Sequence, residues 1–93
     1  MESTLNNKQV KELFKAIIAL ETADECKKFM RDLCTLAELK AMAERWQVAQ
    51  QINQNIPYRK IAKSTGSSTA TITRVAHWLH HGAGGYRLML HRL

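Results

Sequence analysis

Residues 57–76 read PYRKIAKSTGSSTATITRVA, and this stretch decides the fold. It predicts two short helices joined by a tight turn, the helix-turn-helix unit that places a recognition helix in the major groove of DNA. Gly66 lies four residues after Ala62, at a point where the chain must turn sharply and a positive φ costs glycine little. Ser67 and Ser68 follow as candidate N-caps, so a second helix can begin at once.

The second of these helices is predicted to have two different faces. Apolar residues recur along it at helical spacing, which indicates that this side packs against the first helix. These residues are Ile72, Val75, Ala76 and Leu79. Thr69, Ala70 and Thr73 lie on the other side, where small uncharged side chains can approach base edges. We therefore expect these three residues to contact DNA bases, with a Thr73 that only faces solvent as the alternative.

The charge of the chain is divided between its two halves. All eight acidic residues lie within residues 1–44, which also hold seven basic residues, for a net charge of 7 − 8 = −1. Residues 45–93 hold seven basic residues and no acidic one, for a net charge of +7. A segment without carboxylates is suited to lie beside a polyanion, because an acid there would repel phosphate. A basic surface that serves solubility is the weaker alternative.

Phosphate contacts are expected from the basic side chains of the first helix and from the start of the second. Hydroxyl groups at a helix N-terminus can cap the helix and also donate to a phosphate. The expected residues are Arg59, Lys60, Lys63, Ser67, Ser68 and Thr69. For the basic residues, the alternative is a solvated charged face.

The rest of the chain also predicts helices, so the fold class is all-α. A first helix is expected over about residues 7–20, a second after the capping-box pattern at 22–25, and a third from 35 to about 54. We expect a single domain over residues 1–93, in which 7–54 form a helical dimerisation core and 57–81 the helix-turn-helix. An apolar C-terminal helix over 84–93 is too short to be stable alone, so it is expected to complete the dimer core.

Other features exclude several classes of protein. No apolar run approaches the roughly 18 residues of a membrane helix, and the N-terminus lacks the pattern of a signal peptide. Cys26 and Cys34 lack metal-site spacing and are expected to be reduced, buried thiols on different helices of a cytoplasmic protein.

No catalytic arrangement is evident either, since paired carboxylates, nucleophile–base pairs and phosphate loops are missing from the sequence. His77, His80 and His81 could gather two metal ligands, but a phosphate-side or solvent-facing role is the better interpretation. We expect a protein that is not an enzyme and holds no metal.

The order of six helices, the segment from Thr35 to Arg45 and the run ATITR at residues 70–74 resemble the Trp repressor family. The similarity covers about residues 8–93 and is greatest to bacterial Trp-repressor-like relatives. It implies an intertwined homodimer, whose first three helices and last helix interlock and which carries two DNA-reading heads. It also implies a tryptophan corepressor beneath each recognition helix.

The resemblance further implies which residues would surround that corepressor. They are Thr35, Arg45, Thr71 and Arg74, with the two arginines on either side of the indole ring. Val75 replaces a family glycine that leaves room for the ligand, and Trp78 replaces a serine that hydrogen-bonds the ligand. Trp78 is one helical turn from Arg74, so its indole could fill part of the pocket. We therefore do not expect tryptophan as a cofactor. Arg45 could instead pair with an acidic residue.

The sequence thus predicts a bacterial, cytoplasmic homodimer that binds duplex DNA and regulates transcription, as a repressor. The alternative is an interaction or sensing module that binds a small amino-acid-like carboxylate near Arg45 and Arg74 and contacts nucleic acid only non-specifically. RNA binding through the basic half is a third hypothesis, without a recognisable RNA-binding module. Specific binding that survives competitor DNA would distinguish the first hypothesis from the others.

Overall fold

The computed structural model describes the backbone of residues 2–93 and the side chains from residue 3 onward, so Met1 lies outside the described residues. The described chain forms helices and no strand, which confirms the all-α prediction. The helices are α1 Glu2–Leu5, α2 Lys8–Ile18, α3 Ala23–Leu33, α4 Leu36–Asn53, α5 Tyr58–Thr65, α6 Thr69–His81 and α7 Gly85–Arg92. The short α1 was not predicted, and the other helices begin and end close to the expected residues.

The chain divides into two compact units, one that ends at Leu36 and one that runs over Ala37–Leu93. We describe each unit by itself. The single domain predicted over residues 1–93 stays a prediction. None of the helices within the described residues is long and apolar enough to span a membrane.

Side-chain caps fix the helix starts in the N-terminal unit. Asn7 Oδ1 accepts the backbone N–H of Gln9 at 2.7 Å and caps α2. Thr22 Oγ1 accepts the N–H of Glu25 at 3.1 Å, and the Glu25 carboxylate accepts the N–H of Glu21 at 2.9 Å. The capping-box pattern at residues 22–25 therefore marks the start of α3 as predicted.

The same unit leaves much of its apolar surface open. Neither α2 nor α3, both of which are fully described, contains a buried side chain. The exposed large apolar residues of this unit are Leu5, Phe14, Ile17, Ile18, Leu33 and Leu36. Ile18 is 81% exposed. Cys26 is also exposed and Cys34, the C-cap of α3, is half-buried, so the prediction of two buried thiols on different helices was wrong.

In the C-terminal unit, α4 ends in a left-handed turn that leads into α5. Asn55 has a φ of 61°, and its N–H donates to the Ile52 carbonyl at 3.0 Å. The N–H of Ile56 donates to the Gln51 carbonyl at 3.1 Å. This pair of bonds satisfies the last carbonyls of the helix, and asparagine tolerates the required backbone conformation. Pro57 follows as the N-cap of α5.

The core of this unit lies between α4, α5 and α6. Its members are Val48, Ala49, Ile61, Ile72 and Val75, each at most 1% exposed. Burial of a large aliphatic side chain contributes about 1.5–3 kcal/mol, so these contacts hold α5 and α6 against the end of α4. Ala76 and Leu79 are buried as well, which confirms the predicted inner face of α6.

Candidate nucleic-acid interface

The turn between α5 and α6 has the geometry that the sequence predicts. Gly66 ends α5 with a φ of 74°, and its N–H donates to the Ala62 carbonyl at 2.9 Å. Ser68 is the N-cap of α6, and its Oγ accepts the N–H of Thr71 at 3.1 Å. The two helices therefore follow each other with only three residues between them, as in a helix-turn-helix.

The N-terminal part of α6 presents small polar and apolar groups to solvent. Thr69, Ala70 and Thr73 are exposed, while Ile72 and Val75 on the opposite side are buried against α4 and α5. This helix can therefore approach another surface closely without loss of its own packing. No charged side chain lies between Ser67 and Thr73, so contact with base edges requires no desolvation of a charge there.

Three cationic side chains lie on the preceding helix. Arg59, Lys60 and Lys63 are exposed on α5. Because the segment 45–93 contains no carboxylate, these charges are not neutralised from within that segment. The helix-turn-helix thus combines an uncharged exposed surface on α6 with positive charge on α5, a distribution suited to base contacts and phosphate contacts.

Ser67 differs from the other predicted contact residues. It is only 7% exposed, and its Oγ is buried without a hydrogen-bond partner, while its N–H donates to Thr65 Oγ1 at 3.2 Å. A contact from this hydroxyl to phosphate would require a rearrangement of the turn. Thr69, which is exposed, is better placed to donate from the start of α6, and Ser68 is exposed but already donates its hydroxyl to Thr71 Oγ1 at 3.1 Å.

The predicted effector residues lie in both units. Thr35 belongs to the N-terminal unit. Arg45 on α4 and Arg74 on α6 are exposed, and Thr71 is half-buried, with its hydroxyl accepting a hydrogen bond from Ser68 Oγ at 3.1 Å. Trp78 is 46% exposed and meets the ring of His77 edge-to-face, with ring centroids 5.1 Å apart.

An aromatic cavity of about 480 Å³ lies beside Trp78. Trp46, Tyr86 and Met89 also line it, and the rings of Trp46 and Tyr86 stack with centroids 6.3 Å apart. Neither Arg45 nor Arg74 lines this cavity. Trp78 therefore contributes to an apolar surface between α4, α6 and α7.

A family model described as "Trp repressor protein" matches residues 8–93. The chain belongs to the Trp repressor family. The uncharacterised protein YerC of Bacillus subtilis (strain 168) is 39% identical over 89 residues, which cover 96% of this chain and 86% of YerC. The resemblance noted in the sequence is thereby confirmed, and membership makes the chain a helix-turn-helix DNA-binding regulator by class.

Two solved structures have the same fold. A crystal structure of a candidate Trp repressor from Staphylococcus aureus is 41% identical, has a TM-score of 0.92, and covers 97% of this chain and 90% of its own. A TrpR-like protein from Eubacterium eligens ATCC 27750, also solved by crystallography, is 38% identical in sequence and has a TM-score of 0.94. The match covers 97% of this chain and 93% of the Eubacterium eligens chain. The Trp-repressor-like fold is therefore established for this chain.

In this member of the Trp repressor family, Val75 and Trp78 lie in different environments, one buried and the other partly exposed. Val75 is 1% exposed and belongs to the core of the helix-turn-helix, in the same cluster as Val48, Ile61 and Ile72. Val75, which the resemblance places where the family has a glycine, is therefore a packing residue of this chain. Trp78, by contrast, keeps nearly half of its surface exposed, on the same helix as Arg74.

The histidines of α6 form a loose cluster at its C-terminal end. The rings of His77 and His81 have centroids 5.3 Å apart, and those of His80 and His81 are 6.4 Å apart. Among the described residues, no group of three or more histidine, cysteine or acidic side chains is arranged to hold a metal ion. These histidines stay candidates for phosphate-side contacts.

Two side chains that hold this family member's helix-turn-helix in place were missed in the sequence. Ser64 on α5 donates to Gln51 Oε1 on α4 at 2.9 Å. Arg87 on α7 donates from Nε to the Leu79 carbonyl at 3.0 Å and from Nη2 to the His80 carbonyl at 3.4 Å. A basic side chain near the last carbonyls of a helix is a known capping arrangement. Because Arg87 comes from the following helix, the sequence of α6 itself gives no sign of this contact.

Proposed function

We propose that this protein is a sequence-specific transcriptional regulator that binds duplex DNA as a homodimer through residues 57–81 and acts as a repressor in the bacterial cytoplasm. One observation carries this proposal. The exposed start of α6 is uncharged and small, whereas the helix before it carries three exposed cations. This distribution suits a helix that enters the major groove while its neighbour crosses the phosphate backbone.

In the proposed complex, the two kinds of contact have separate roles. Thr69, Ala70 and Thr73 contact base edges, with methyl groups for thymine and hydroxyls for donors or acceptors. The cations of α5 contact phosphates and fix the register of the protein without carrying sequence information. Thr69 adds a hydroxyl donor at the helix N-terminus, where the helix dipole favours an anion, and Ser68 adds a second when its hydroxyl turns from Thr71 to the phosphate.

The homodimer is supported by the apolar side chains that a single chain leaves open. In addition to those of α2 and α3, the exposed apolar residues Leu88, Met89 and Leu93 lie at the C-terminal end. Monomeric proteins rarely expose so many large apolar side chains, and a second copy can cover them in a two-fold symmetric arrangement. The two recognition helices would then read half-sites about one helical turn apart, at roughly 34–36 Å.

Neutralisation of one phosphate-contacting cation tests the proposed division of roles. In Lys63→Gln, we expect affinity to fall by a similar factor for specific and non-specific DNA, because a phosphate contact carries no sequence information. The slope of log K against log salt should fall by about one. Fluorescence anisotropy over a series of salt concentrations measures both quantities.

Lys15→Gln is the matched control, since Lys15 is an exposed lysine on α2 outside the helix-turn-helix. Its salt slope should equal that of the unmodified protein. An unchanged slope in Lys63→Gln, or a loss confined to one DNA sequence, would contradict the assignment of Lys63 to a phosphate.

A further inference from the structure

A wide cleft opens in the C-terminal unit, away from the residues assigned to DNA bases and to the family's corepressor. Its volume is about 910 Å³, within the range of small-molecule sites. The end of α4 and the start of α5 form one wall, and the end of α6 together with α7 forms the other. None of Thr35, Arg45, Thr71, Arg74 and Trp78 lines it.

The polar groups of this cleft favour an anion. Its lining includes the guanidinium of Arg87 and the imidazoles of His80 and His91, which can donate hydrogen bonds. Asn53, Asn55 and Tyr58 add side-chain groups that can donate to an oxygen. The segment 45–93, from which the whole lining comes, contains no Asp or Glu, so no acidic side chain of that segment competes for the arginine.

The arginine at this cleft is held in a fixed position. Two hydrogen bonds tie its guanidinium to the carbonyls of Leu79 and His80, at 3.0 and 3.4 Å. Arg87 and His91 are separated by one turn of α7, so they lie on the same face of that helix. A cation whose side chain is already ordered loses less entropy when it binds an anion.

The rest of the lining is apolar. Ile52, Ile56, Leu79 and Leu90 contribute to it, and each is at least half-buried. A ligand that combines an anionic group with an apolar body would use both parts of the cleft, whereas a bare inorganic ion would use only the first. Burial of the body adds hydrophobic free energy in proportion to the apolar area that leaves water.

The cleft adjoins the surface that we assign to the dimer, because Leu90 lines the cleft and also lines a smaller pocket together with Leu93. The exposed large apolar residues of α7 and its C-cap are Leu88, Met89 and Leu93. None of these three residues lines the cleft. Arg87, Leu90 and His91 therefore form the part of the α7 surface that borders these three residues.

We infer that this cleft is a binding site for a small organic anion, a carboxylate or a phosphate ester with an apolar body. The anionic group binds Arg87, with His80 and His91 beside it, and the body lies against the isoleucines of the α4–α5 wall. Tyr58 begins α5 and His80 lies near the end of α6, so the ligand contacts both helices of the helix-turn-helix. Binding at this site does not depend on the proposed DNA-binding function and can be measured without DNA.

Nuclear magnetic resonance titration of the ¹⁵N-labelled full chain tests the inference. The probes are hexanoate and hexyl phosphate as the two anionic classes, hexanol as the uncharged match, and inorganic phosphate as the ion without a body. We expect saturable shifts of the amides at residues 52–56, 58, 79–81 and 87–91, with a Kd on the order of 1 mM or tighter for at least one of the two anionic probes. Hexanol and inorganic phosphate should bind at least about tenfold more weakly.

Two variants and a control locate the site. Arg87→Gln should weaken the better probe about tenfold through loss of a charge-assisted hydrogen bond. His91→Gln, which leaves the Arg87 contacts to α6 in place, should weaken it several-fold. Arg92→Gln removes one charge from the same helix outside the lining and should leave affinity unchanged.

Several results would overturn the inference. One is the absence of saturable shifts in the cleft with both anionic probes. Another is a set of shifts spread over all basic side chains, which would indicate non-specific attraction. Equal affinity in Arg92→Gln, Arg87→Gln and His91→Gln would also overturn it. None of these results would bear on DNA binding, so the two proposals fail separately.

Discussion

A chain that lacks residues 86–93 should lose the ability to form a dimer, and its free energy of unfolding should fall by several kcal/mol. The deletion removes the apolar side chains of α7, each worth about 1.5–3 kcal/mol when buried, less the cost of ordering them. It also removes the stacking of Tyr86 on Trp46 and the bonds of Arg87 to α6. Equilibrium sedimentation and urea unfolding measure the two effects.

A second variant separates loss of the dimer from loss of the fold. Ile18→Asp alters an exposed apolar side chain of α2 and leaves α7 intact. A two-fold dimer contains the site twice, so loss of its burial should cost about 3–6 kcal/mol of association free energy. This corresponds to a Kd raised about a hundredfold to ten-thousandfold.

Gln9→Asp, at an exposed polar position of the same helix, should leave the Kd unchanged. If the unmodified chain sediments as a well-folded monomer at micromolar concentration, or if Ile18→Asp dimerises as well as Gln9→Asp, the proposed dimer is wrong.

Free tryptophan should bind this protein weakly or not at all, although the two arginines that the resemblance places around the ring are present as Arg45 and Arg74. Trp78 removes the hydroxyl that the family's serine offers to the ligand. A charged group that loses a buried partner costs roughly 1–3 kcal/mol, enough to lower affinity about tenfold or more. The bulk of the indole adds steric exclusion on the helix face that carries Arg74.

The structure changes how this prediction should be tested. Val75 lies in the core, so its replacement by glycine would leave a cavity and destabilise the helix-turn-helix. Trp78→Ser alone is therefore the informative variant, because the side chain is nearly half exposed. In calorimetric titration with L-tryptophan, Trp78→Ser should gain affinity, while Trp78→Phe, which keeps the bulk, should not. Micromolar binding by the unmodified protein would refute the prediction.

Much of the fold was predictable from the sequence because local signals and periodicity agreed. The turn at Gly66, the caps at Thr22 and Ser68 and the inner face of α6 depend on residues within one or two turns of each other. The buried thiols were mispredicted for a different reason. Helical spacing tells which residues share a face, but it does not tell whether a single chain covers that face.

The candidate site was predictable only in part. The exposed and buried sides of α6 follow from helical spacing, and the positive charge of α5 follows from composition. The burial of Ser67 depends on how the turn packs, and the Arg87 contacts join residues seven and eight positions apart across the break at Gly82–Gly84. The cleft that Arg87 lines brings together α4, α5, α6 and α7. Such arrangements arise from tertiary packing, which periodicity does not encode.

Selection of bound fragments from random duplex DNA tests the central claim most directly. The account predicts enrichment of a two-fold symmetric site, with half-sites about one helical turn apart. A parallel selection with the bulkier Thr73→Gln should shift the preferred bases at equivalent positions of both half-sites, with a penalty of about 1–3 kcal/mol for each disturbed base pair. Failure to enrich any sequence above competitor DNA, or identical preferences in the two selections, would contradict the proposed recognition by α6.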